Sequence, residues 1–169
     1  MSIWVRAYLH QPSGTQVAEL LSQGIAQRLP LLTFLFSPEA EEEPEDVLER
    51  LRVQPDGDKD WEIYYRDDPD WFLPVERFTG EAAQEEIEEA LEELEDYSHL
   101  ETEPVREFLA GVVETIGFEL KLSDAEGMGT PVAIAAAAKL VETFGGIVSA
   151  DGYGWMLPSG NEVDVIMEA

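Results

Sequence analysis

The 169-residue chain sets 37 Asp and Glu against 10 Lys and Arg, a formal charge of -27, with 44% hydrophobic and 9% aromatic residues and no cysteine. The apolar and aromatic content fits a folded domain with a core of its own. The charge argues against nucleic acid, whose phosphates need Lys and Arg, and against anionic membranes, and the missing cysteines exclude disulfides, thiolate nucleophiles and thiolate metal sites.

The start, Met1-Ser2-Ile3-Trp4-Val5-Arg6, has no basic region ahead of an apolar stretch, so it does not read as a signal peptide. No apolar run approaches the roughly 18–20 residues of a membrane helix. A cytoplasmic location is expected. Residues 3–10 are rich in aromatic and branched side chains and read as a strand. Residues 16–29 place Val17, Ala18, Leu20, Leu21, Ile25 and Leu29 at helical spacing. Pro30 is expected to end that helix, and the apolar run 31–36 reads as a buried strand. The opening third is thus expected to be β-α-β.

Seven carboxylates follow, Glu39, Glu41, Glu42, Glu43, Glu45, Asp46 and Glu49, in a loop leading into a short helix through Leu51. Residues 55–58 read as a turn, 61–66 as a strand, and 71–78 as a strand pushed to an edge by Pro74. A long amphipathic helix is expected over 80–97, its apolar stripe at Ala83, Ile87, Ala90, Leu91 and Leu94 and nearly all the rest acid. From Glu81 to Glu103 there are eleven carboxylates and no Lys or Arg. Like charges at i,i+4 cost about 0.2–0.5 kcal/mol per pair, and pairs 81/85, 85/89, 88/92, 89/93 and 92/96 all incur this. Packing of the stripe must outweigh the repulsion.

A helix is expected over 104–115, a strand over 118–122, an alanine-rich helix over 131–143 stopped by Gly145-Gly146, a strand over 147–150, a turn at Asp151-Gly152 and a last short strand over 163–167. The chain thus reads as a single α+β domain, 1–169, made of β-α-β (3–36), an acidic middle segment with a hairpin and a long helix (37–103), and α-β-α-β (104–169). The expected core is a mixed β-sheet from two β-α-β units with helices mainly on one face, for which the ferredoxin-like arrangement is the simplest fold.

Catalytic chemistry finds little material. Asp56-Gly57-Asp58-Lys59-Asp60 has acids at positions 1, 3 and 5 of a calcium loop, but Trp61 stands where such a loop needs glycine and the closing Glu is missing. A hairpin turn fits better. The histidines are His10 and His99 alone, with no triad signature around them. The glycines form no phosphate loop. No catalytic residue, metal ligand or cofactor is assigned.

What remains is surface. Charge runs are normally solvated faces, yet the acid helix has no compensating cation, and acidic stretches at 39–49 and 56–70 join it. The second of these carries Trp61, Tyr64, Tyr65, Trp71 and Phe72 within or beside it, and aromatic anchors beside acids suit an interface for a basic protein. The candidate partner-binding residues are Glu85, Glu88, Glu89, Glu92, Glu93 and Asp96 on the helix, with Asp67, Asp68, Asp70 and Trp71. A halophilic source is the competing explanation of the acidity.

Phe144-Gly145-Gly146-Ile147-Val148, followed by Asp151-Gly152 and Trp155, resembles the tail of bacterial immunity proteins of polymorphic toxin systems, over about a quarter of the chain. In those proteins an alanine-rich helix ends in Gly-Gly and leads into a short strand and an Asp-Gly turn. The resemblance implies a cytoplasmic antitoxin that masks a basic toxin or nuclease. Two other functions fit the residues: a nucleic-acid mimic that blocks a defence enzyme, and an enzyme or small-ligand domain with incidental acidity.

Overall fold

The structure, a computed structural model, describes residues 2–97 and 99–168. One eight-stranded sheet spans it, in the order β2-β3-β4-β5-β1-β6-β7-β8. The strands are β1 (Ile3–Leu9), β2 (Arg52–Asp56), β3 (Asp60–Tyr64), β4 (Leu73–Thr79), β5 (Glu114–Leu120), β6 (Gly146–Ala150), β7 (Gly154–Ser159) and β8 (Glu162–Met167). The helices are α1 (Val17–Phe36), α2 (Pro44–Arg50), α3 (Gly80–Glu95), α4 (Glu103–Ala110), α5 (Leu122–Ala125) and α6 (Gly129–Phe144). The architecture is α+β, as expected.

Every strand pairing is antiparallel, where a mixed sheet was expected. The parallel strands of each β-α-β unit are not neighbours. β5 and β6 are joined by α6 and flank β1, which runs opposite to both. β1 and β4 likewise run the same way on either side of β5. With α1 and α6 these four strands therefore follow a split β-α-β-β-α-β path. The second unit was legible in the sequence. The first closes on β4, not on residues 31–36.

Residues 31–36 continue α1 through Pro30. Proline removes one backbone donor, but Leu32 and Thr33 extend the buried stripe of Leu21, Ile25 and Leu29 by another turn. The Thr33 hydroxyl donates to the Leu29 carbonyl at 2.7 Å. Burying that stripe outweighs the lost hydrogen bond; Phe36 packs partly buried against the core, and Leu31, Phe34 and Leu35 lie exposed. Three further expectations shift. β2 was not foreseen. It pairs Arg52–Asp56 with Asp60–Tyr64 around the Gly57 turn, so the acids at 56–60 form a hairpin. β4 is not an edge strand: β3 and β5 flank it. Pro74 is tolerated because it pairs only with Glu62 of β3, and the β5 pairing begins one residue later at Val75. The helix expected over 104–115 stops at Ala110, because Glu114 and Thr115 enter β5 opposite Leu9 and Tyr8.

Alternation along β1 divides the core. Val5, Ala7 and Leu9 enter the larger cluster, which the stripe of α1 and the alanines of α6 complete. α6 touches β1, β5, β6 and β7 on one side and α1 on another, and α1 also reaches the outermost strands β2 and β8. Alanine is the residue for such a position, since Ala135 to Ala138 are wholly buried. Gly24 sets the spacing: a Cβ there would stand 2.5 Å from Lys139 Cβ and 2.7 Å from the Ala135 carbonyl oxygen. The opposite face holds a smaller cluster, Tyr8, Ile147, Trp155 and Met167 from the sheet against Ile87, Ala90 and Leu94 of α3 and Val105 and Leu109 of α4. Most helices thus lie on the first face, with α3 and α4 on the second.

Candidate functional site

α3 forms because its apolar residues recur at helical spacing and find the second face of the sheet. Ala83, Ile87, Ala90 and Leu94 are buried. Its other sides are acid, with Glu81, Glu85, Glu88, Glu89, Glu92, Glu93, Glu95 and Asp96 exposed. Six of the predicted partner-binding residues, Glu85, Glu88, Glu89, Glu92, Glu93 and Asp96, are therefore solvent-facing on one element. Glu86 is the half-buried exception, accepting from Arg6 Nε at 3.1 Å.

Asp67, Asp68, Asp70 and Trp71 are not part of this surface. They lie in the β3–β4 connection, which is tied to α5. Asp124, buried in α5, accepts from the Tyr65 hydroxyl, from Trp71 Nε1 at 2.9 Å and from the Lys121 backbone N–H at 3.0 Å. Tyr65 belongs to the first-face core, so the sheet separates this group from α3. Trp71 is half-buried, and Arg66 and Lys121 each stack over its ring, at 4.4 and 4.8 Å. It serves as an internal strut. The three acids around it are exposed. Asp67 and Asp68 share a hollow with Glu42, and Glu42 shares the next with Glu39, Glu41 and Glu126. The acidic stretches at 39–49 and 67–70 thus merge into a second negative patch.

Beside α3 the sheet opens a cleft of about 220 Å³. Glu86, Glu89 and Glu93 line one wall. Arg6, Tyr8, Ser149, Asp151 and Trp155 line the other, from β1, β6, the β6–β7 turn and β7. Arg6 is held there: its Nη1 lies 3.7 Å from Asp151 and its guanidinium 5.2 Å over the Trp4 ring. Burial pushes the Glu93 carboxyl above its usual range, Asp151 adds to this, and Arg6 opposes it. Burial also raises Tyr8, whose ring packs tilted on Trp155 at 5.5 Å. The sequence reading missed this second wall. Its one local signal is Arg6, a cation in an otherwise apolar strand, on the face opposite Val5 and Ala7.

The other titratable groups serve the fold. His10 Nε2 is 2.8 Å from the Phe108 carbonyl oxygen and its ring stacks on Phe108. Buried Glu114 accepts from the Ser13 hydroxyl and from the Ser13 backbone N–H at 3.2 Å, with Arg77 Nε at 3.8 Å. That network pins the β1–α1 connection to β4 and β5. Among the described residues no helix is long and apolar enough to cross a membrane. Comparison of the chain with protein-family models, with curated proteins and with solved structures gave no match.

Proposed function

We propose that this protein is an acidic cytoplasmic binding protein, an immunity or inhibitor protein that neutralises a basic toxin or nuclease by covering its positive surface. One observation carries the reading: α3 presents eight exposed carboxylates between Glu81 and Asp96 and no cation, while its apolar stripe is spent on the sheet. A one-signed surface of this kind raises the association rate of an oppositely charged protein, toward about 10⁸ M⁻¹s⁻¹ at low salt. Arg6, Arg28, Arg50 and Arg77 are bound to carboxylates of the chain itself, so they do little to offset this field.

The test is capture of partners from a lysate of the source cells on the immobilised protein, at low and high salt. A retained protein of pI above about 9, released by salt and inhibited by the purified chain, is the expected outcome. Replacing Glu85, Glu88 and Glu92 together with Lys is expected to slow its association at least tenfold. The reading fails if no basic protein is retained, or if the reversed helix associates as fast as the original.

The spacing of the charges favours one other inhibitor mode, a nucleic-acid mimic. Fifteen residue steps from Glu81 to Asp96 rise about 22 Å, so the eight exposed carboxylates average about 3 Å of axial rise apiece, distributed around the helix. A single DNA strand carries a charge roughly every 3.4 Å. Competition between the chain and duplex DNA for the captured protein tests this mode: a mimic occupies the nucleic-acid site and is displaced by DNA, whereas simultaneous binding of chain and DNA excludes it.

A further inference from the structure

The acidity of the outer helix surface does not account for the cleft behind it. Four carboxylates, Glu86, Glu89, Glu93 and Asp151, face a space of about 220 Å³ together with one guanidinium. Arg6 is already bound to Glu86 and Asp151. Glu89 and Glu93 have no ion pair among the described residues. The raised proton affinity of Glu93, from burial and then from Asp151, with Glu89 and Asp96 adding to it, is the response of a partly desolvated carboxylate short of positive charge.

The other lining groups narrow what can supply that charge. Tyr8 and Ser149, both more than nine-tenths buried, line the cleft. Neither hydroxyl makes a side-chain hydrogen bond among the described residues, so each is free to accept from a ligand there. Trp155 and Tyr97 add aromatic surface. An anion is excluded by the carboxylates, and a neutral ligand would leave them unpaired. No group of three His, Asp or Glu among the described residues is positioned to hold a metal ion. Carboxylates, hydroxyl acceptors and aromatic faces together suit an organic cation. The volume is below the roughly 300–1,000 Å³ of pockets for drug-sized ligands, and it suits one long side chain or a small amine.

We propose that the cleft between α3 and the β1–β6 wall binds a single ammonium or guanidinium group, supplied by a Lys or Arg side chain of the basic partner. This rests on the proposed function for the source of the cation. On that reading α3 steers the encounter and the cleft holds one buried anchor, the arrangement that concentrates binding energy at an interface centre.

The experiment titrates the full chain with n-butylguanidinium and n-butylammonium chloride at constant ionic strength, following backbone and indole resonances by NMR. Saturable shifts centred on Asp151, Gly152 and Trp155 are expected, with NaCl alone producing none. Glu93→Gln is expected to weaken the affinity about tenfold and Glu89→Gln several-fold. Asp164→Asn, an equal charge change on the exposed part of β8, should leave it unchanged. Retained spectral dispersion shows that each variant is folded. Non-saturating shifts, or an unchanged affinity in folded Glu93→Gln, overturn the proposal. A neutral-capped peptide with one Arg is then compared with spermidine: tighter binding of the peptide supports a protein side chain, and tighter binding of spermidine overturns that source. Cation binding in the cleft with no basic protein ever captured would sink the proposed function while leaving an amine site. Capture of a basic protein with an unresponsive cleft sinks this inference alone.

Discussion

The two faces of the sheet are built by opposite rules. On the first face α6 and α1 are stacked so closely that alanine and glycine dominate the contact, with Gly24 set against Lys139 and Ala135. On the second face α3 presents a narrow stripe of Ala83, Ile87, Ala90 and Leu94 to the sheet and carboxylates to the solvent. The first face carries the stability. The second retains enough apolar contact to stay folded, and its repulsive charge is left available to act on something else. Where a structure tolerates repulsion that simple substitutions would relieve, function is the usual reason.

The largest expected effect tests that division. Phe118 is wholly buried in the first-face cluster, and Phe118→Ala is expected to cost about 3–5 kcal/mol. Ile87, near the middle of the α3 stripe, is 7% exposed, and Ile87→Ala should fall near the lower end for such truncations, about 2 kcal/mol. Urea unfolding monitored by circular dichroism measures both. Equal losses would contradict the asymmetry.

Gly24 gives a sharper version, because it predicts a sign. In an exposed helix interior, replacing Gly with Ala gains up to about 1 kcal/mol. Here the added methyl meets Lys139 Cβ at 2.5 Å and the Ala135 carbonyl oxygen at 2.7 Å, neither of which is the free end of a flexible side chain. Gly24→Ala should therefore destabilise by about 1–3 kcal/mol. A stabilised variant would mean that α1 and α6 have room to separate.

The second face should respond in the other direction. Glu92→Gln removes the like-charge pairs with Glu88 and Asp96, and at about 0.2–0.5 kcal/mol each this stabilises by about 0.4–1 kcal/mol. Thermal unfolding in low salt shows the gain, and about 0.5 M NaCl should erase most of it by screening. A stabilised protein that binds the proposed basic partner more slowly is the signature expected of a surface kept for association.

Much of this asymmetry was legible in the sequence, and the limits are physical. α3 and its exposed acids follow from one helical period, and β5-α6-β6 from clear alternation, a run of alanines and the Gly145-Gly146 stop. Residues 31–36 were misread because local chemistry, a proline followed by an apolar hexapeptide, competes with a tertiary term: the stripe through Leu29 and Leu32 that α1 buries. Pro74 likewise looked like an edge marker only because the stagger of β4 between its neighbours is not a local property. The cleft was out of reach for the same reason. Arg6 and Glu86 are 80 residues apart, and no periodicity places Asp151 beside Glu93.

The smallest effect concerns protons on that cleft. The Glu93 carboxyl is held above its ordinary value of 4.5 by burial, then by Asp151, with Glu89 and Asp96 adding and Arg6 opposing. A carboxyl raised by folding binds its proton more tightly in the folded state, so its contribution is full below pH 4.5 and is lost as pH rises through the raised value. Glu76, also raised by burial, acts in the same sense. Glu142, lowered chiefly by its hydrogen bond from Arg28 on the other side of the molecule, acts in the opposite sense: its contribution is present above 4.5 and lost as pH falls through the lowered value. The unfolding temperature of Glu93→Gln should therefore decline less than that of the original chain between pH 4.5 and 7, whereas Glu142→Gln should differ from it below pH 4.5, where only the original chain loses the Glu142 contribution as pH falls. Since the net charge acts on all three proteins alike apart from one unit, the differences between the profiles isolate the two sites. Parallel profiles for Glu93→Gln and the original chain would mean that the cleft carboxylates are as well solvated as those on the outer surface of α3, leaving no unmet charge for a cation to satisfy.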